Sequence, residues 1–532
     1  MGAKDDFVKV ENPSVKGIFE HMRTIMEKGH HLYQMNDDLA YDYEPLVGEN
    51  PFIDKEKETT PLPAYDGSRD LLPQVVWDGH DDSLACYDKA WQIAFRNLRA
   101  PQPDDSMVSN YIDTAFNGFL FMWDSSFITM FGKYGARAFD FRKTLDNLYA
   151  RQHMDGFICR EICEMKKGDQ FHRFDPVSTG LNILAWAEWE SFLVTGDTER
   201  IKAVFPVLLA YHLWLKKYRT WPDGTYWSTG WGCGMDNQPR QKPGYNCEFH
   251  HGHMVWADAC IQQILSCQTL RKMARLIGRE RDTQVIAEEE ARLTKVVNEK
   301  LWDDQTAFYY DLWDDGRRNG VKSIGTYWAL LAGIVPEDRL DAFVAHLENA
   351  AEFNRPHHVP TLSADHPEYR EDGGYWRGSV WAPTNYMVLK GLEKYGYHRL
   401  ANDIARSHVD NVSQVFAETG TLWENYAPER PAPGKPAKSD FVGWTGLSPI
   451  SILIEFVFGI HGDAQKKKIT WHTTCPERHG VMRYPLGDAS VDLICPQHTA
   501  GEHPDIRIAT TESVTVEVIW PDGMRKIYGN RV

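Results

Sequence analysis

Two short acidic stretches hold the residues best suited to chemistry. In TGWGCGMDNQPR, residues 229–240, Asp236 sits among glycines, Trp231 and Arg240 in a run too irregular for a helix or a strand. In TLWENYAP, residues 421–428, Glu424 lies between Trp423 and Asn425. Glycines at 230, 232 and 234 let the backbone come close to a ligand and adopt conformations barred to other residues. One carboxyl kept protonated beside a leaving oxygen, and one ionised carboxylate that activates water on the opposite face, are what cleavage of a glycosidic bond with inversion needs. Either stretch alone reads as a surface turn with an incidental acid; two of them among aromatic loops favour chemistry.

Other loop clusters supply competitors and binding groups. FMWDSSF, residues 121–127, presents Trp123 and Asp124, where Asp124 serves equally well as a helix N-cap. RFDPVSTG, residues 173–180, holds Asp175 before a proline, a natural turn start. GGYWRGSVWAPTNY, residues 373–386, holds Trp376, Arg377 and Trp381, and FVGWTG, residues 441–446, holds Trp444. Arg377 could clamp hydroxyls or depress a carboxylate pKa, with a structural ion pair as the plain alternative. Arg240 is the one obvious cation beside the acid for a carboxylated aglycone such as glycerate. Cys247, Glu248, His250, His251 and His253 lack the paired spacing of a zinc site, as do His357 and His358, so no metal is expected. There is no phosphate-binding loop, no dinucleotide fingerprint and no G-x-S-x-G, hence no expected cofactor.

Composition bounds the partners. The chain has 532 residues, 42% hydrophobic and 25% charged, long enough for a large domain and a smaller one. A net charge of −17 argues against nucleic acid or an anionic membrane as the main partner. Many of the 19 tryptophans fall in loops, where indole faces suit sugar rings, and a small carbohydrate is the expected ligand. Nine scattered cysteines give no disulfide framework. With no apolar leader at the N-terminus and no span of 18 apolar residues, the expectation is a cytoplasmic protein, or a periplasmic or secreted one whose signal peptide has been removed. The oligomeric state stays open.

The elements that must position these loops are helical. Apolar residues recur at three and four over twelve segments, about 82–98, 126–136, 139–152, 178–196, 198–219, 253–278, 280–301, 322–334, 336–351, 379–396, 398–418 and 444–460. After every even-numbered segment but the last the break is a few residues (YGARAF, VTGDTE, IGRERD, IVPEDR, KYGYHR); after every odd one it is long. Short breaks make antiparallel neighbours, so all the long loops should emerge at one end. The expectation is an all-α (α/α)6 barrel; an open solenoid would need a repeat of fixed period, which is not found. Residues 1–75 read as an N-terminal arm with an amphipathic segment near 15–29, residues 76–462 as the catalytic barrel, and residues 463–532, rich in β-branched alternation around Pro521-Asp522-Gly523, as a small C-terminal β domain.

At these loops the chain resembles inverting glycoside hydrolases of family 63 and, more distantly, the family 37 trehalases, over about residues 77–460. GCGMDNQPR resembles the segment whose Asp is the family's general acid, which implies that role for Asp236. LWENYAP followed by FVGWTG resembles the pair whose Glu is the general base, implying Glu424. FMWDSSF and YWRGSVWAPTNYMVLKGL resemble the segments lining the sugar pocket, implying Trp123, Asp124, Trp376, Arg377 and Trp381. The family's large N-terminal β-sandwich is absent and Cys233 stands where Ser is usual. The resemblance therefore implies an α-glycosidase acting on a small glucoside, mannoside or disaccharide rather than on long N-glycans. A sugar epimerase or isomerase on the same barrel, which would use paired histidines, and a non-catalytic glycan-binding scaffold are the alternatives.

Overall fold

The computed structural model describes residues 49–114, 118–164, 168–499 and 501–529. Most of the arm, including the segment near 15–29, lies outside the described residues. All twelve expected helical segments contain helix. In chain order they are α1 Asp81–Arg96, α2 Met122–Gly132, α3 Lys143–Tyr149, α4 Leu184–Thr195, α5 Thr198–Tyr218, α6 Ala257–Ile277, α7 Gln284–Val296, α8 Trp328–Ala332, α9 Glu337–Glu348, α10 Ala382–Lys394, α11 His398–Thr419 and a π-helix, α12, Ser448–Val457.

The short breaks are built as the residues dictate. Gly196, at φ +66°, ends α4 in the left-handed conformation, and Asp197 at once caps α5 by accepting the Arg200 N–H at 2.9 Å. The even-numbered helices then pack in succession, α2 on α4, α4 on α6, α6 on α8, α8 on α10, α10 on α12, and α12 back on α2. They form a closed inner ring. The first helix seals the outer layer by packing on α11 and α12. Among the described residues no helix is long and apolar enough to cross a membrane.

A buried ionic cluster ties the inner ring together. Lys133, just after α2, lies 2.9 Å from Glu455 of α12 and 3.3 Å from Glu190 of α4; Lys390 of α10 reaches both glutamates at 2.8 Å. The hydroxyls of Tyr134 and Tyr386 donate to Glu455 at 3.0 and 2.9 Å. Two positive charges face two negative ones, with hydroxyl donors supplying further bonds, the condition under which buried charge is tolerated.

The C-terminal strands form two four-stranded sheets. One orders Gln74–Trp77, His479–Leu486, Ala489–Cys495 and Arg507–Thr510; the other orders Arg525–Gly529, Thr515–Ile519, Lys468–His472 and Ile460–Asp463. Residues 74–77, read above as the end of the arm and the start of the barrel, are thus a strand of this β unit, with Trp77 opposite His479. Four residues are too few to display a period of two. Short ribbons also interrupt the long loops, among them Phe119–Phe121 paired with Glu161–Cys163.

Candidate active site

A cavity of about 390 Å³ opens among the long loops. Its walls come from five of the six: Phe119 and Phe121, Arg160 and Glu161, Trp231 and Asp236, Tyr375 and Trp376, and Glu424 with Phe441 and Trp444. Trp123 and Asp124, from the start of α2, complete it. Seven of the residues singled out in the sequence therefore meet here: Trp123, Asp124, Trp231, Asp236, Trp376, Glu424 and Trp444.

The acid loop is shaped by its glycines. Thr229 caps a single helical turn, Gly230–Cys233, by accepting the Gly232 N–H at 2.9 Å, and Gly234 at φ +71° turns the chain out of it toward Asp236. A Cβ on Gly230 would stand 2.3 Å from the Asp236 carbonyl oxygen, so any side chain there would force the acid out of place. Asn237 docks the loop onto the 373–377 segment: its Oδ1 accepts the Trp376 N–H at 2.9 Å and its Nδ2 donates to the Gly374 carbonyl at 3.0 Å.

Arg240 is not at the cavity. It is 1% exposed, gripping Asp258 at 2.6 and 2.9 Å and Asp311 at 2.7 and 2.8 Å, with its guanidinium over the Trp256 ring. Its two carboxylate partners and the Cys233 sulfur, 3.6 Å away, use up its donors, so it anchors the loop exit and leaves no charge for an aglycone. Arg377 likewise lies behind the wall, donating to the Asn237 carbonyl at 3.1 Å and pairing with Glu368 at 3.0 Å. Trp381 is buried beneath Trp376, the two indoles stacked at 3.8 Å and 3°. It supports the wall and does not line it.

Glu424 sits in an extended segment, its main-chain N–H donating to the Lys438 carbonyl at 2.8 Å. Successive side chains of extended backbone point to opposite sides. That is why Trp423 and Asn425, its sequence neighbours, face away from the cavity: the Trp423 indole donates to Thr419 at 3.1 Å and Asn425 Nδ2 to the Pro436 carbonyl at 3.1 Å. The Glu424 carboxylate accepts the Tyr375 hydroxyl and the Lys438 main-chain N–H, both at 3.1 Å. Tyr375 holds φ +67°, a conformation costly for an aromatic residue.

The electrostatics separate the carboxyls. Burial pushes Asp236 up to about 7; the Arg160 guanidinium opposes this, and the charges of Glu248 and Glu424 add to it. Burial also raises Glu424, while the Lys438 N–H and the Tyr375 hydroxyl stabilise its anion. Asp124, fully buried, is raised well above the usual range, chiefly by desolvation. Asp175 is also raised by burial, but it is outside the cavity and accepts the Val177 N–H at 3.2 Å, the turn role open to it from sequence. Among the described residues the Trp123 indole N–H is buried without an acceptor.

Sequence reasoning missed Arg160, Glu161, Tyr375, Phe119, Phe121 and Phe441. Arg160 lies over the rings of Phe171 and Trp231, pairs with Glu161 at 3.1 Å, and is the one guanidinium lining the cavity among the described residues. The alternation Phe119-Leu120-Phe121, with Leu120 buried and both phenyl rings on the cavity side, was a legible signal. Arg160 and Glu161 gave none, because the three-residue strand that Glu161 opens, with Arg160 just before it, is too short to show a pattern.

The model of the mannosylglycerate hydrolase MGH1-like glycoside hydrolase domain matches residues 119–445, the span that contains the whole cavity. An uncharacterized protein of Borreliella burgdorferi is 26% identical over 330 residues, covering 59% of this chain and 67% of that one. A probable mannosyl-oligosaccharide glucosidase of Schizosaccharomyces pombe is 25% identical over 285 residues, 46% of this chain but only 34% of that one, so the chain spans about a third of that relative's length. The structure of the family 63 mannosylglycerate hydrolase of Thermus thermophilus in complex with glucose superposes with a TM-score of 0.55 at 21% identity, over 68% of this chain and 99% of that one. That likeness establishes a shared fold. With the family model covering more than half of its length, the chain belongs to the MGH1-like glycoside hydrolases of family 63.

Proposed function

We propose that the chain hydrolyses a small α-glucoside or α-mannoside with inversion, Asp236 acting as general acid and Glu424 as general base. The observation that carries this reading is their shared cavity with unlike environments. Asp236 is desolvated to a pKa of about 7, so a large share of it holds a proton near neutrality. Glu424 accepts two hydrogen bonds that favour its anion, as a group that deprotonates water requires. Trp123, Trp231, Trp376 and Trp444 offer aromatic surface to the sugar. Asp124, whose burial favours the protonated form and which lies beside Trp123, binds a hydroxyl in this scheme.

An anionic aglycone is a second reading, favoured by one residue. Arg160 places its guanidinium on the cavity wall, and the Thermus relative is named for a glycerate-bearing substrate. In this chain Arg160, not Arg240, would meet such a carboxylate. Proton NMR of the first-formed sugar, over a panel of α-glucosides and α-mannosides with neutral and carboxylated aglycones, tests both readings. Inversion of the anomeric configuration is expected, and retention overturns the assignment, because a retaining pair stands roughly 5–5.5 Å apart and an inverting pair roughly 6.5–9.5 Å.

A further inference from the structure

Next after the acid loop in the chain, three histidines crowd into four residues. His250, His251 and His253 bring one ring nitrogen each to within 4.8 Å of one another. Their ring centroids are 4.6, 5.2 and 4.6 Å apart. His253 reaches this position only by holding φ +52°, a conformation uncommon outside glycine. No carboxylate pairs with any of the three rings among the described contacts, so no ion pair accounts for the cluster. Burial and the charges of the neighbouring rings lower His250 and push His251 down to about 4.

The geometry points to a site for a borderline divalent transition ion, Zn²⁺ by preference, held by the imidazoles of His250, His251 and His253 with the fourth position open to water. Imidazole ligands suit Zn²⁺, Ni²⁺ or Co²⁺ and suit Mg²⁺ or Ca²⁺ poorly. Two ring nitrogens are already engaged: His250 Nδ1 accepts the Gly252 N–H at 2.9 Å and His251 Nδ1 accepts the His253 N–H at 3.0 Å. Both rings therefore carry their proton on Nε2. Ligation moves that proton to Nδ1 or releases Nδ1 to the ion, and in either case the two main-chain N–H groups lose their acceptors. The His253 bond is solvent-exposed, so water replaces it.

An ion here would brace the catalytic wall. The carbonyls of Cys247 and Glu248, directly before the histidines, accept the N–H groups of Gly230 and Trp231 at 2.7 and 3.1 Å. Trp221 and Trp227 lie 5.2 and 5.0 Å from His251, close enough to report a quenching ion.

The test uses the full chain without a histidine tag, stripped with a chelator and then dialysed. Calorimetric titration with ZnCl2 should show one equivalent bound per chain, and Ni²⁺ or Co²⁺ should quench tryptophan fluorescence. His253→Asn, which tolerates positive φ, should weaken Zn²⁺ binding at least tenfold while unfolding at the metal-free wild-type temperature. His250→Gln should do the same. Saturating Zn²⁺ should raise the wild-type melting temperature and shift the amide resonances of Gly252 and His253. Binding that is absent in the wild type, or undiminished in both variants, overturns the site.

Discussion

Two of the places where the molecule buries acidic side chains treat them in opposite ways. In the ring interior, Glu190 and Glu455 face Lys133 and Lys390, and although burial opposes it, the two ammonium groups hold both carboxyls below their ordinary range. At the cavity Asp236, Asp124 and Glu424 are buried without such partners, and all three are raised. Desolvation is the leading cause at both sites; an opposite charge within hydrogen-bond reach decides the sign. The interior cluster spends its charges on holding four helices in register. The cavity keeps its acids poorly neutralised, which costs stability and supplies protons that can be given away.

The comparison breaks most visibly through turnover. Asp236→Asn and Glu424→Gln should each reduce kcat on natural glycosides by roughly 10²–10⁴-fold with the fold intact, and Asp236→Asn should lose less on substrates with good leaving groups. Steady-state kinetics beside circular dichroism checks this, and near-wild-type activity in either variant would hand its role to Asp124. The reverse pattern belongs to the interior: Glu455→Gln should destabilise by about 3–5 kcal/mol, since it leaves two buried ammonium groups facing the single carboxylate of Glu190. Urea denaturation measures it, and a loss below about 1 kcal/mol would mean that the cluster does not hold the ring.

Acidity sharpens the contrast. Asp236 has a folded pKa of about 7 against an ordinary value of 3.8, so its contribution to stability is fully present below pH 3.8 and lost as pH rises toward 7. Glu190 and Glu455 have depressed values, so theirs is present above their unfolded value of 4.5 and lost as pH falls through the folded values. Asp236→Asn should therefore flatten the fall in stability between about pH 4 and 7, a change of a few kcal/mol at most. Urea midpoints measured across that range decide it; an unchanged slope would place Asp236 in a wetter setting than its burial indicates.

Smaller effects separate the wall from its backing. Trp376→Ala should lower kcat/KM by about 1–3 kcal/mol of lost stacking and positioning. Arg377→Ala, whose pair with Glu368 is partly exposed and outside the cavity, should cost less than about 1 kcal/mol in either stability or kcat/KM. A larger kinetic loss for Arg377→Ala than for Trp376→Ala would reverse their assignment.

What could be read from sequence follows how local the determining physics is. Helical periodicity and alternating linker lengths are properties of neighbouring residues, and they led to the twelve helices. The alternation alone suits a ring or an open solenoid of hairpins, and the lack of a fixed-period repeat is what pointed to a ring. Asp236, Glu424 and the tryptophans beside acids stood out because they break the helical pattern within loops. Arg240 and Arg377 misled because an arginine next to an acid in sequence says nothing of which carboxylate it meets in space; Asp258 and Asp311 are 18 and 71 residues from Arg240. Trp423 and Asn425 were drawn in with Glu424, yet the pleat of an extended segment sends them the other way. Arg160 and Tyr375 were invisible, one lacking a pattern and the other hidden beside a tryptophan that drew the attention.

The strand Gln74–Trp77 ties the first part of the ring to one of the last elements of the chain. Its partner strand begins at His479, and Arg478 pairs with Asp78 across 400 residues of sequence. During synthesis, helix α1 leaves the ribosome long before the strand that anchors its leading end exists. The ring can therefore be assembled around α1 while that end is still loose, and the β unit acts as a clasp fastened last. Such late, distant pairing slows folding and leaves a strand edge open to foreign partners until it is made.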